Sequence, residues 1–377
     1  MDAVHEQALA SQDRAETAAD LDVVHVESTR EPRWAPFVEG RPEALVYHHP
    51  AWIEVLSETY GYTEASLAAV DRDGVLRGVL PLFRRRGLLS GRRLTSLPHT
   101  PHAGPIGDST AVATLLNAAV DMAREDQGVR LQVKSPRADL ATLAPAIVQE
   151  PWEPTYVLSL PDDVDALRFG SSRNHTRIKG KVTQATRRGV VVRPAESHED
   201  LRAWYRLYLA TMRRHAVPPR PYRFFEVAWR VLQPMGMMRV LLAEQGPGRS
   251  AALAAGSVFL TSNETITYRF NGSDRAMLNL HPNDAIQWHA IHEATREGFR
   301  RYDFGEVEIG NEGLAMFKAK WGAVSEPLFR YGYPAANELE RGVLRRTGLV
   351  RSAAQAVWRR LPLVATQAIG EQLYRHL

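Results

Sequence analysis

The 377-residue sequence predicts an α/β protein made of two similar halves. Three observations predict it. Helical and strand patterns alternate along the chain. The order helix, hairpin, loop, helix, strand occurs twice, at a spacing of about 180 residues, which is the length of a domain rather than of a solenoid repeat. Hydrophobic residues make up 44% of the chain, enough to fill a core in each half. Duplication of a whole domain explains the repeat; two unrelated α/β runs would give the same alternation.

Residues 1–21 are polar and poor in large apolar groups, and a mobile tail is expected there. They hold no apolar core of a signal peptide, and no stretch of the chain approaches 18 uninterrupted apolar residues, so neither a signal peptide nor a membrane span is predicted. A helix follows Pro50, whose fixed φ suits a first turn, and runs through Trp52, Val55 and Leu56 to a stop at Gly61. The apolar runs 65–70 and 75–83, separated by Asp71-Arg-Asp-Gly74, read as an antiparallel hairpin. After a stretch rich in Gly and Pro, a helix at 110–126 precedes a strand at 130–135. In the second half, a helix at 224–232 is followed by strands at 238–244, 251–260 and 264–270. A helix from Pro282 to Gly298 and a short buried strand at 301–305 complete the repeat. Between the halves, 171–189 reads as a basic amphipathic helix ending at Gly189.

Forty-seven Lys and Arg against 43 Asp and Glu give a formal charge of only +4, too small a surplus to argue nucleic-acid binding. Arginines cluster at 84–86, 92–93, 173–193, 213–230 and 341–360, as phosphate contacts or as solvated helix faces. The absence of cysteine excludes disulfides, thiol nucleophiles and thiolate metal sites, and is compatible with a reducing cytoplasm. His289 and His292 are three apart on one expected helix, but no His-Glu-x-x-His or comparable ligand set accompanies them, and no metal site is expected. A Gly-x-Ser-x-Gly nucleophile motif is also absent.

Two segments carry candidate chemistry. In the first, the strand end Asp303-Phe-Gly305, the loop Gly310-Asn-Glu-Gly313 and Phe317-Lys-Ala-Lys-Trp-Gly322 follow in quick succession. Lys318 lies beside Phe317 and Trp321, and a partly desolvated lysine at a strand end can stabilise a developing oxyanion; a surface lysine on a helix is the alternative. In the second, Thr211–Phe225 sets four arginines around a Pro turn, either as bidentate partners for a phosphate or as a solvated loop.

These motifs in series resemble the FemAB-like branch of the GNAT-fold acyltransferases. They are Arg173-Asn-x-x-Arg177-x-Lys179-x-Lys181 to Gly189, Tyr205 to Arg214, Arg301-Tyr-Asp-Phe-Gly305 and Phe317-Lys-x-Lys-Trp-Gly322. His48-His-Pro-Ala-Trp-Ile-Glu54 with Tyr60-Gly61 looks like the opening helix motif of that branch, and the likeness covers residues 23–335. The resemblance implies tandem GNAT-like domains, each a mixed, mostly antiparallel central sheet flanked by helices, and transfer of an acyl or aminoacyl group to an amine. The expected boundaries are a tail at 1–21, an N-terminal domain at 22–155, a C-terminal domain at 156–335 and a basic amphipathic helical extension at 336–377.

By that likeness Phe317 and Lys318 match the family's Phe-Lys pair, the lysine stabilising the transfer transition state or positioning the donor. Arg220 and Phe224 fall where family members place an arginine and a tyrosine on the acceptor's diphosphate, and the change to Phe removes one hydroxyl contact. Arg213, Tyr222 and Trp321 join them as expected substrate contacts, and Tyr268 as a cleft aromatic. Arg173, Arg177 and Lys179 are candidates for the donor's phosphates. The donor co-substrate implied is aminoacyl-tRNA or acyl-CoA, with no tightly bound cofactor. Residues 271–284 lack the Arg-x-x-Gly-x-Gly turn by which ordinary GNAT enzymes hold the CoA pyrophosphate, which argues against CoA. The implied acceptor is a small-molecule or lipid-linked amine of the cell envelope, a sugar or a peptide. The expected location is the cytoplasm, with peripheral contact at the inner membrane face through Arg and apolar residues of 338–377, where docking of that helix on the protein itself is the alternative. The rival reading of the whole chain is a non-catalytic, degenerate GNAT pair serving envelope assembly or nucleic-acid binding through the basic 173–193 helix.

Overall fold

The computed structural model describes residues 21–87, 91–126, 128–246, 251–335 and 355–376. All of the expected N-terminal tail except Leu21, and 336–354 of the expected extension, lie outside the described residues. The described chain forms two compact units: 21–53, 62–151 and 329–335 in the first, and 54–61, 152–328 and 355–376 in the second.

The first unit contains β1 (Asp22–Val26), α1 (Trp34–Glu39), the start of α2 (Pro50–Tyr60), β2 (Thr63–Glu64), β3 (Ser66–Val70), β4 (Leu76–Leu80), β5 (Phe83–Gly87) and β6 (Gly91–Thr95). It continues with β7 (Ile106–Gly107), α3 (Ser109–Glu125), β8 (Val129–Ser135), α4 (Leu140–Leu143) and β9 (Val148–Pro151). One sheet runs β1-β3-β4-β7. The other runs β2-β5-β6-β8, then the returning strand Phe329–Tyr333, then β9. The expected hairpin is β3 and β4, whose turn is fixed by Asp71 Oδ1 accepting from Val75 N at 2.8 Å and Asp73 N at 3.1 Å. Helix α3 starts on Asp108, whose side chain accepts from Ala111 N, and its stripe Val112, Leu115, Leu116, Ala119 and Val120 is fully buried against the strands. The strand Phe329–Tyr333 corrects the expected boundary at 335. It pairs with β8 and β9, and Tyr331 is buried in the first unit's core, so the chain returns to this unit after residue 328.

The second unit contains β10 (Thr155–Ser159), α5 (Ser172–Arg187), β11 (Val190–Pro194), α6 (His198–His215), α7 (Tyr222–Leu232), β12 (Met238–Gln245), β13 (Ala252–Ser262) and β14 (Thr265–Ser273). It continues with α8 (Pro282–Arg296), β15 (Arg301–Glu306), α9 (Glu312–Lys320), β16 (Val324–Glu326) and α10 (Leu363–His376). Its seven-stranded sheet has the order β11-β12-β13-β14-β15-β10-β16 and is antiparallel except between β14 and β15, which α8 connects. The first unit repeats this arrangement, with β6 and β8 parallel and α3 between them. The parallel register of β14 and β15 covers only Thr265–Thr267 against Arg301–Asp303. The parallel pairing ends there, while β15 stays paired with β10 as far as Glu306. Helix α6 lies so close to β13 and β14 that a Cβ at Gly256 would fall 2.6 Å from the Trp204 ring, and one at Gly272 would fall 2.5 Å from Tyr208 N. Glycine is required at both places by packing.

Candidate active site

The end of β15 turns at Gly305, whose φ of +80° lies in the left-handed region that favours glycine. Asp303, two residues earlier, faces the protein interior with 6% of its surface exposed. Its Oδ1 accepts from Gly305 N at 2.7 Å and from the Thr155 hydroxyl of β10. Helix α9 then begins on Asn311, whose side chain accepts from Leu314 N at 3.2 Å, and delivers Lys318 to this turn. Lys318 is the buried residue of that helix, 3% exposed. Its Nζ donates to Gly305 O at 2.7 Å and to Glu306 O at 2.9 Å, and lies 5.9 Å from the centre of the Tyr156 ring.

Electrostatics tie these groups together. Burial lowers Lys318 to about 8, against Asp303 and Glu306, which favour its charged form; Arg269 of β14 disfavours it. Burial pushes the Asp303 carboxyl up, against the hydrogen bonds from Thr155 and Gly305 and the nearby charges of Lys318 and Arg269. Glu306 is held by Arg269 at 3.7 Å and by Trp152 Nε1 at 3.2 Å. The backbone carbonyls take two of the three ammonium protons of Lys318. A third acceptor bearing developing negative charge is what such a cation can serve.

Phe317, half-buried, packs on the core beside Lys318, and Lys320 Nζ stands 5.1 Å above its ring. Trp321 was expected on the substrate and is instead a core residue. It is fully buried and packed edge-on to Phe169 at 5.0 Å, because the residue after α9 turns inward. Tyr268 also packs inward, between Phe259 and Phe304, and burial pushes its hydroxyl up.

Arg220 and Phe224 form a second cluster. Arg220 is 5% exposed; its guanidinium lies 4.6 Å from Phe224, 5.3 Å from Phe270 and 5.3 Å from Tyr374 of α10, and Nη1 donates to Tyr60 Oη at 3.2 Å. Its backbone is clamped as well: Arg220 N donates to Tyr208 Oη at 3.1 Å, and Tyr205 Oη donates to Arg220 O at 2.9 Å. Tyr222 packs edge-on to Tyr205 at 5.1 Å. Arg213 donates to Leu361 O at 3.3 Å, just before α10. Of the two alternatives for the C-terminal helix, α10 docks on the protein: Thr366 and Gly370 are buried, Gly370 against Pro219, while Val364 is 78% exposed.

Arg173, Arg177 and Lys179 lie exposed along α5, whose inward residues are Ile178 and Ala185. This helix packs on α8, and its Lys181 joins Lys320 at Asp284, at 3.6 Å and 2.8 Å. Asp284 sits in the first turn of α8, which starts with Pro282. The N-terminal turn of this helix, a natural seat for an anion, therefore already holds a carboxylate. His289 pairs with Glu293 at 3.1 Å, and the His292 ring stacks on Trp288 at 4.3 Å.

Asp303, Thr155, Arg269, Glu306 and Trp152 had no expected role. The available signal was a carboxylate two residues before a glycine at a strand end.

The acetyltransferase (GNAT) domain family matches residues 171–318. Among solved structures, FemX is 17% identical, with 88% of this chain and 100% of that chain covered and a TM-score of 0.66. The C-terminal domain of a putative lysylphosphatidylglycerol synthetase from Agrobacterium fabrum is 12% identical, with 85% and 98% covered and a TM-score of 0.56. The L-PGS structure from Bacillus licheniformis is 12% identical, with 83% and 98% covered and a TM-score of 0.52. No curated protein sequence matches the chain. Residues 171–318, from the start of the basic helix to the buried lysine, thus match the acetyltransferase (GNAT) domain family, in a chain that has the fold of FemX.

Proposed function

We propose that the protein transfers an acyl or aminoacyl group from an activated ester to an amine, with Lys318 as the cation that stabilises the oxyanion. The observation that carries this reading is the seat of Lys318: a buried ammonium held by two backbone carbonyls at the end of β15, inside the matched domain. Attack of the amine nitrogen on the carbonyl carbon forms the new C–N bond and places negative charge on the carbonyl oxygen, where the remaining Lys318 N–H serves it. Collapse breaks the ester bond, and the proton lost by the amine leaves with the departing oxygen or sulfur.

Aminoacyl-tRNA is the donor we favour over acyl-CoA. Asp284, paired with Lys181 and Lys320, occupies the N-terminal turn of α8, where a pyrophosphate would meet a carboxylate. The exposed Arg173, Arg177 and Lys179 of α5 are assigned to the donor's phosphates. A phosphorylated, envelope- or lipid-linked amine is the proposed acceptor, in line with the lysylphosphatidylglycerol synthetase among the structural neighbours. Arg220 would reach its phosphate only with Tyr374 displaced. Among the described residues no helix is long and apolar enough to cross a membrane, and peripheral contact is assigned to the outward face of α10 around Val364.

The test is incubation of the full chain with charged tRNA or acyl-CoA and a panel of amine acceptors, read by the mass of the product. Transfer from charged tRNA that is lost in Lys318→Met supports the proposal. Transfer from acyl-CoA alone overturns the donor assignment, and salt-sensitive nucleic-acid binding without turnover supports the non-catalytic rival.

A further inference from the structure

Lys318 depends on the shape of the β15 end, and that shape has a second determinant. We propose that Asp303 is the positioning residue of the Lys318 centre: its carboxyl fixes the Gly305 turn that presents the two carbonyls, and it faces the buried amine they hold. This rests on the reading of Lys318 as the working cation.

The geometry supplies both parts. Gly305 N donates to Asp303 Oδ1 at 2.7 Å, which closes a local turn and holds the Gly305 peptide with φ at +80°. The carbonyl of that same residue is the nearer acceptor of Lys318 Nζ, at 2.7 Å. The carboxylate and the ammonium thus grip one glycine from opposite ends, its N–H and its C=O. Thr155 of β10 donates its hydroxyl to the same carboxylate oxygen, so Asp303 is anchored from the neighbouring strand. The groups facing Lys318 are Asp303 and Glu306 from β15, Arg269 from β14 and the Tyr156 ring from β10. Glu306 already pairs with Arg269, so its effect on Lys318 is partly offset, and Asp303 favours the charged amine more strongly than Glu306 does.

The chain has only five lysines, Lys134, Lys179, Lys181, Lys318 and Lys320. Full-length protein labelled on lysine can therefore be titrated by NMR one amine at a time, with Lys318→Arg assigning its signal and no donor or acceptor needed. In Asp303→Asn the Lys318 amine is expected to titrate at least about one pH unit lower than in the parent protein. Thr155→Val, which removes only a hydroxyl, should shift it in the same direction by less, and keeps the test open if the Asn variant does not fold. In transfer assays the basic limb of the rate profile should move to lower pH by the same amount. An unchanged Lys318 titration in a folded Asp303→Asn or Thr155→Val protein overturns the proposal. If Lys318→Met leaves transfer intact while Asp303→Asn still moves the titration, the function assigned to Lys318 fails and the positioning by Asp303 stands.

Discussion

Lys318 and Arg220 are both buried cations of the second unit, and their surroundings are chemically opposite. Lys318 is solvated by two carbonyls and faces carboxyl groups; Arg220 is boxed by the rings of Phe224, Phe270, Tyr374 and Tyr60. The difference follows from the two side chains. An ammonium is a compact, strongly hydrated charge that needs oxygen atoms in place of water, and it can shed its proton when burial is severe. A guanidinium is planar and weakly hydrated, stacks on rings, and keeps its charge at any accessible pH. A titratable cation in a shell of oxygen atoms suits chemistry. A permanent cation in a box of rings from elements far apart in sequence suits structure.

The sharpest way to break this contrast is to remove each charge. Lys318→Met should lower transfer by about 10²–10³-fold, the usual effect of losing one oxyanion donor, while chemical denaturation shows a change within about 1 kcal/mol. The small change reflects two offsetting effects: a buried charge is relieved, and two carbonyls lose their donor. Arg220→Ala should cost about 3 kcal/mol in the same denaturation experiment because three ring contacts, the Tyr60 bond and the packing of α10 depend on it. Equal stability losses in the two variants would erase the distinction.

Much of the framework behind these sites was legible in the sequence. The hairpin expected from the runs 65–70 and 75–83, the helix expected from Pro282 to Gly298 and the strand expected at 301–305 correspond to Ser66–Leu80, Pro282–Arg296 and Arg301–Glu306, because local periodicity and punctuation are set by residues close in sequence. The strand 329–333 was missed because its partners, β8 and β9, lie roughly 180 to 200 residues earlier, and pairing at that distance leaves no local mark. The site divides in the same way. Lys318 stood out as a lysine between aromatic residues, but which neighbour shares its chemistry and which merely fills the core depends on the direction each leaves the helix. Phe317 and Trp321 therefore looked alike, and only Trp321 proved fully buried. The cage around Arg220 draws Tyr60 and Tyr374 from roughly 150 to 160 residues away, and no reading of 211–225 alone contains them.

The pH profile sharpens the contrast further. With Lys318 lowered to about 8, its charged form dominates below that pH, so loss of its proton should make the transfer rate fall about tenfold per pH unit above it. Stability has the opposite sign. Between about 8 and the ordinary lysine value of about 10.4, the unfolded chain binds the proton that the folded chain has released, so this group makes folding more favourable as pH rises. Lys318→Met should flatten that part of the stability curve. Arg220 contributes no such slope, and an unchanged curve in Lys318→Met would mean that Lys318 titrates alike in both states.

The smallest effect is expected at the rim of the arginine cage. Tyr374 lies 6.1 Å from Tyr60 and 5.3 Å from the Arg220 guanidinium, so it closes the box from α10. Tyr374→Ala removes one ring of several and should cost about 1 kcal/mol, with hydrogen exchange accelerated in 363–376 before it changes elsewhere. Because α10 also rests on Pro219 through the buried Gly370, a bulkier side chain at 370 would push the whole helix off and serves as the stronger partner variant. Exchange that quickens in Gly370→Leu and Tyr374→Ala while the rest of the second unit stays protected would make α10 a separately opening cover over Arg220. Exchange that quickens throughout the unit would make the helix part of the core that the arginine holds together.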